Sequence, residues 1–109
     1  MNSYKELIVW QKSREMVAEV YLITDSLPES EKFGLTSQSR RSAVSIPSNI
    51  AEGYRRKHRK EYVHFLAISA GSTAEPETQL ILINDIFKVP VNDALKPLRK
   101  FKNVKHLDK

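Results

Sequence analysis

Apolar residues recur along this chain at steps of three and four, the spacing of helices, and no run alternates residue by residue as half-buried strands do. Leu7, Ile8, Trp10, Val17, Val20, Tyr21 and Ile23 stand among charges with no internal glycine or proline, which predicts a first helix over 5–25. Leu7, Trp10, Arg14, Val17 and Tyr21 share one of its faces. Pro28 biases Leu27 away from helical geometry and closes the run. After a polar connector a second helix is expected over 32–53, with Ser30 available as a cap and Gly53 as a stop. Ala43, Ile46 and Ile50 form its apolar seam, and Gln38, Arg41, Ser45, Asn49 and Glu52 form a polar one. Pro47 lies inside this helix, where the lost N–H and ring clash cost about 3 kcal/mol or more. The periodicity continues in register on both sides, so a kink is expected there rather than a break.

Tyr62, Phe65, Leu66 and Ser69, then Leu80, Ile83 and Phe87, predict a third helix over 59–87. Its centre is made of small residues, Ala67, Ala70, Gly71, Ser72 and Ala74, which permit close approach by a neighbouring helix. Pro76 either kinks this helix or sits near the start of a second segment beginning around Ala74. Ser72 and Gln79 keep a common polar face, which favours the kinked continuous form. Residues 88–92 read as a turn and Asp93 as the cap of a fourth helix over 94–106. Pro97 lies near its first turn, and Leu95, Leu98, Phe101 and Val104 supply its apolar side. Four helices with short connectors predict an all-α protein, an antiparallel up-down four-helix bundle forming one domain over 1–109.

A length of 109 residues fits one domain with a modest core. Cysteine is absent, so disulfides and thiolate metal sites are excluded. No apolar run approaches the ~20 residues that span a bilayer, and the first residues lack a basic segment leading into an apolar one. A soluble, cytoplasmic protein without a membrane partner is expected. The formal charge of +5 is unevenly placed. Residues 40–60 carry seven Lys or Arg against Glu52 alone, and residues 96–109 carry six against Asp108. Two basic segments on an otherwise acidic body favour a polyanion partner, since phosphate neutralisation releases condensed counterions. A pair of solvated helix ends accounts for the same composition.

The densest cationic stretch is Arg55, Arg56, Lys57, His58, Arg59 and Lys60. Lysine supplies point charges and arginine forked donors, a mixture suited to phosphate oxygens of RNA or DNA without base selectivity. Tyr54 and Tyr62 flank the stretch, either as base-stacking rings or as core residues. The polar seam Gln38, Arg41, Ser45, Asn49, Glu52 faces Ser69, Ser72, Glu75 and Gln79 if the second and third helices pair. Because a buried Arg or Glu is tolerated only when partnered, these groups are expected to form a structural network that fixes helix register or subunit contacts, with a binding pocket as the alternative. Glu61 and His64 have the Glu-x-x-His spacing of di-iron bundles, but a single copy is too little for a metal centre. Neither a His-Glu-x-x-His motif, nor a glycine-rich phosphate loop, nor a presented nucleophilic serine occurs. No cofactor and no enzymatic activity are expected.

Trp10, Phe33-Gly34-Leu35, Gln38 with Arg40 and Arg41, the block from Ser45 to Gly53, Glu61-Tyr62 with Phe65-Leu66, and Gly71-Ser72 with Glu75 and Gln79 together carry a resemblance. In these residues the chain resembles the bacterial four-helix bundle proteins, also called 23S rRNA intervening sequence proteins, over roughly residues 4 to 90. The resemblance implies a left-handed antiparallel bundle that assembles into a ring-shaped homopentamer. It also implies kinship with the accessory variability determinant of diversity-generating retroelements, a basic pentameric barrel that binds nucleic acid and a reverse transcriptase. Self-association, RNA or DNA, and a reverse transcriptase or other protein are thus the expected partners. The rival expectation is a protein scaffold or adaptor that binds no nucleic acid. The chain departs from the family pattern at Pro76, where an apolar residue is usual, and in its short, lysine-rich fourth helix.

Overall fold

Ser3 accepts the Lys5 backbone N–H on its Oγ at 3.1 Å, which caps a single 3-10 turn, Tyr4–Glu6. Helix α1 then spans Ile8–Asp25, α2 Ser37–Arg55, α3 Arg59–Gly71, α4 Ala74–Phe87 and α5 Asn92–Lys100. The computed structural model describes residues 3–56 and 58–101, and every regular element among them is helical. α1 and α2 pair antiparallel, α3 and then α4 return along α2, and α5 packs on α1 and α4. The result is a four-legged bundle, 43 × 22 × 20 Å, whose third leg is built from two segments.

The core runs the length of this rod. Val9, Met16 and Val20 of α1 meet Ala43, Ile46 and Ile50 of α2, with Leu80 and Ile83 of α4 and Leu95, Leu98 and Phe101 closing the α5 side. The buried face of α1 is Val9, Ser13, Met16, Val20 and Ile23, one residue round from the Trp10, Arg14, Val17, Tyr21 stripe. Arg14 explains the offset, because an unpartnered guanidinium cannot be buried, whereas Ser13 satisfies itself by donating to the Trp10 carbonyl at 2.8 Å. The apolar seam expected on α2 is buried as read.

Several element boundaries differ from expectation. α1 starts at Ile8, behind a separate 3-10 turn, rather than at residue 5, and α2 runs past Gly53, the expected stop, to Arg55. The continuous third helix is interrupted at Ser72 and Thr73. A helix running through Pro76 would strand the Ser72 carbonyl and push the ring against it. Restarting at Ala74 places Pro76 in the first turn of α4, where its N–H would have no intrahelical partner anyway. The hydroxyls of Ser72 and Thr73 donate to the carbonyls of Ser69 and Ala70 at 3.0 and 2.9 Å and close the end of α3. The second helix begins at Ser37 rather than residue 32, because residues 32–36 form a separate wide turn containing Gly34 at φ −106° and ψ −117°. Ser30 does not cap it. Glu31 instead accepts the Leu35 N–H at 3.1 Å within that turn. α5 begins at Asn92, so Asp93 lies inside its first turn and Pro97 further in than expected. Val104 and the remainder of 94–106 beyond Phe101 lie outside the described residues. α2 itself passes Pro47 without interruption.

Two contacts fix how α2 sits between its neighbours. At the α3 side, a Cβ placed on Gly53 would come within 2.4 Å of the Cβ of Phe65, so the two backbones approach as closely as only glycine permits. The small residues expected to serve this purpose do not: a Cβ at Gly71 meets nothing within 4 Å. At the α1 side, Arg40 reaches across to the end of α1. Its Nε donates to Thr24 Oγ1 and its Nη2 to Asp25 Oδ1, both at 2.8 Å, and its guanidinium lies 4.3 Å from the centre of the Tyr21 ring. A cation at this C-terminal turn also complements the helix dipole.

Gly53→Ala is expected to destabilise the fold by about 1–3 kcal/mol, because the clash is with a Cβ fixed to its backbone rather than a mobile side-chain end. Thermal or urea denaturation reads this directly, and an unchanged midpoint would refute the close-approach argument. Arg40→Ala is expected to cost about 1–2 kcal/mol, but Asp25→Ala less than about 0.5, since the Asp25 carboxylate is largely exposed while the Thr24 hydroxyl is buried. Equal losses in the two variants would show that the ion pair, not the Thr24 bond, carries the contact.

Candidate nucleic-acid interface

The close α2–α3 approach at Gly53 narrows the hairpin tip, and aromatic rings brace it. Tyr54 of α2 and Tyr62 of α3 meet edge to face with centroids 6.0 Å apart, and both pack against the core. Of the two readings open for these tyrosines, the core position is the one they occupy. Phe65 lies beneath Arg56, whose guanidinium is 5.5 Å from the ring centre. The facing ends of the two helices thus have aromatic rings on the core side, with Arg56 outside them.

Arg55, Arg56, His58, Arg59 and Lys60 are exposed at these ends, and Lys57 lies outside the described residues. Arg56 is engaged: its Nη2 contacts Glu52 Oε1 at 3.0 Å, one turn back on α2. Arg55, Arg59 and Lys60 have no acidic partner among the described residues. Arg55 sits in the last turn of α2, where the dipole favours a cation. Arg59 and Lys60 occupy the first turn of α3, where the dipole disfavours one, so an anion arriving there relieves both the side chains and the helix end. Phosphate is the chemistry this corner suits.

The expected polar network assembles differently from the pairing read in the sequence. Gln38 and Arg41 are exposed, and neither has a side-chain partner among the described residues. Ser45 donates to the Ser42 carbonyl at 2.6 Å and Asn49 to the Ser45 carbonyl at 2.8 Å, so both turn back on their own helix. Glu52 is taken by Arg56. The bonds that cross between legs come from two residues outside the expected α2 stripe and two within the expected partners. Ser42 Oγ lies 2.6 Å from Gln79 Oε1 in a buried site, and Gln79 Nε2 donates to Glu75 at 3.3 Å. Ser69 Oγ donates to the Ile46 carbonyl at 3.4 Å, while Ser72 closes α3. A stripe drawn through the charged residues missed Ser42, which is small enough to lie in the interface. Its signal is present in the sequence, since it adjoins the apolar position Ala43.

Glu61 and His64 are both exposed, and no group of three or more His, Asp or Glu converges on a metal position among the described residues. No helix among them is long and apolar enough to cross a membrane.

No curated protein matches the chain. The family described as 23S rRNA-intervening sequence protein does match, over residues 5–107. That span takes in all five helices, the Gly53 crossing and the cationic corner. The chain therefore belongs to the 23S rRNA-intervening sequence protein family.

Proposed function

We propose that this chain is a non-enzymatic, oligomeric bundle protein that binds nucleic acid through the corner between α2 and α3, with little preference for sequence. The observation that carries the reading is the group of exposed cations Arg55, Arg59 and Lys60, without acidic partners among the described residues, at a helix N-terminus that itself favours anions. Point charges and guanidinium forks with no recognition helix beside them suit phosphates rather than base edges.

Exposed apolar surface supports the oligomeric part of this reading. Ile81, Leu82 and Ile86 of α4, Leu22 of α1 and Phe33 are exposed, Phe33 at 86% and Leu22 at 64%, more large apolar surface than scattered single residues explain. Assembly into a ring, as the family resemblance implies, would repeat the cationic corner around a rim and raise its avidity. The same apolar surface also favours the second reading, an adaptor that engages another protein and for which the corner only confers solubility.

A salt series separates the two. Fluorescence anisotropy with a labelled RNA or DNA is expected to show an affinity that falls steeply with salt. Combined reversal of Arg55, Arg59 and Lys60 to Glu is expected to abolish binding at moderate salt while leaving the melting temperature and the oligomer unchanged. Absence of binding at low salt, with the oligomer intact by light scattering, would instead establish the adaptor.

A further inference from the structure

The stripe of α1 that the core leaves out has a use of its own. Trp10 and Arg14 line two adjoining clefts, one of about 820 Å³ along α1 beside Lys5, the other of about 370 Å³ between α1 and α2, floored by Val44, Pro47 and Ala51. Both are open to solvent along their length, which suits a chain lying across them rather than an enclosed small molecule. Trp10 is half-buried and meets the Tyr4 ring in a T-shaped contact, centroids 5.3 Å apart at 70°. The Arg14 guanidinium lies over the indole at 5.7 Å from an exposed position. An exposed cation–π contact is weak enough for Arg14 to swing aside. Gln11, on the same rim, is held by the Lys5 carbonyl at 2.9 Å, and Glu15 faces Lys12 at 4.0 Å.

We propose that this double cleft is a base-stacking site and that the nucleic acid of this protein is single-stranded, an inference that rests on the cationic corner contacting nucleic acid. Register joins the two features. Val44, Ser48, Ala51 and Arg55 recur at steps of four, three and four, so the wall of the smaller cleft runs along one face of α2 into the corner. A strand whose phosphates lie on Arg55 and the start of α3 passes over Ala51 to Trp10 within about two helical turns. There the half-buried indole, braced by Tyr4, can take a base in the place over its ring that Arg14 now holds, with Arg14 and Lys5 beside it for the adjoining phosphates. Bases in a duplex have both faces occupied by stacking, whereas a single strand offers them to aromatic rings and arginine planes regardless of sequence.

Trp10 is the only tryptophan in the chain, so its fluorescence reports this cleft without interference. Titration of the full chain with an oligothymidylate of about twelve nucleotides is expected to quench Trp10 in step with the anisotropy of the labelled strand. An abasic oligomer of equal length is expected to bind more weakly, by about tenfold, and to leave the emission unchanged. Arg14→Glu, at an exposed position, is expected to weaken single-strand binding about tenfold at an unchanged melting temperature, and Trp10→Phe to retain most of the affinity. Binding by anisotropy with no quenching and no loss in Arg14→Glu would overturn the stacking site and leave the cationic corner standing. No binding of any strand at low salt would overturn the corner and the cleft together. An emission maximum that shifts on dilution but ignores the oligonucleotide would show the cleft closed by a second copy, and also overturns the proposal.

Discussion

The packing of α3 on α2 depends on one missing side chain. With no Cβ at Gly53, the Phe65 stem lies against the α2 backbone, and everything at that end follows from the short distance. The two tyrosines can meet edge to face, Phe65 can serve as a platform for Arg56, and the connection between the helices can be only a few residues long. A wider spacing would separate these rings, and the cations at the tip would lose the rigid base that sets their positions relative to one another.

Polar groups set the remaining register with little recourse to buried charge. The interior of the bundle contains hydroxyls and one amide, Ser13, Thr24, Ser39, Ser42, Ser69, Thr73 and Gln79, and no fully buried ionised residue among those described. Ser13, Thr24 and Thr73 return their proton to a carbonyl of the preceding turn, which satisfies them at no cost in interhelical geometry. Ser42 with Gln79 and Ser69 with Ile46 are the exceptions, and both tie α2 to the third leg. Ser39 Oγ is buried with no hydrogen-bond partner, a local departure from this economy.

Much of this architecture was legible in the sequence, because periodicity reports helices well wherever apolar residues outnumber breakers. The seam of Ala43, Ile46 and Ile50, the helical identity of each leg and the position of the basic stretch could be read directly. The failures share a cause: two candidate stripes one residue apart differ little in hydrophobicity but much in what else they carry. On α1 the larger side chains drew attention to the Trp10 and Tyr21 stripe, whereas Arg14 decided which stripe faced inward. On α2 charge marked out Arg41 and Glu52, yet only a residue as small as Ser42 fits where legs touch. At Pro76 both outcomes were open, and a pair of hydroxyls, Ser72 and Thr73, able to close a helix end tipped the balance toward a break.

That break divides the third leg energetically as well as geometrically. Helical cooperativity passes from turn to turn through consecutive backbone hydrogen bonds, and the ladder of α4 does not continue into α3. α3, which packs almost wholly on α2, must therefore hold its own ends together, while α4 draws on both α2 and α5. The segment that carries half of the cationic corner is thus placed by one neighbour alone, through the most extensive helix–helix contact in the molecule, so a shift of α2 carries both halves of the corner with it.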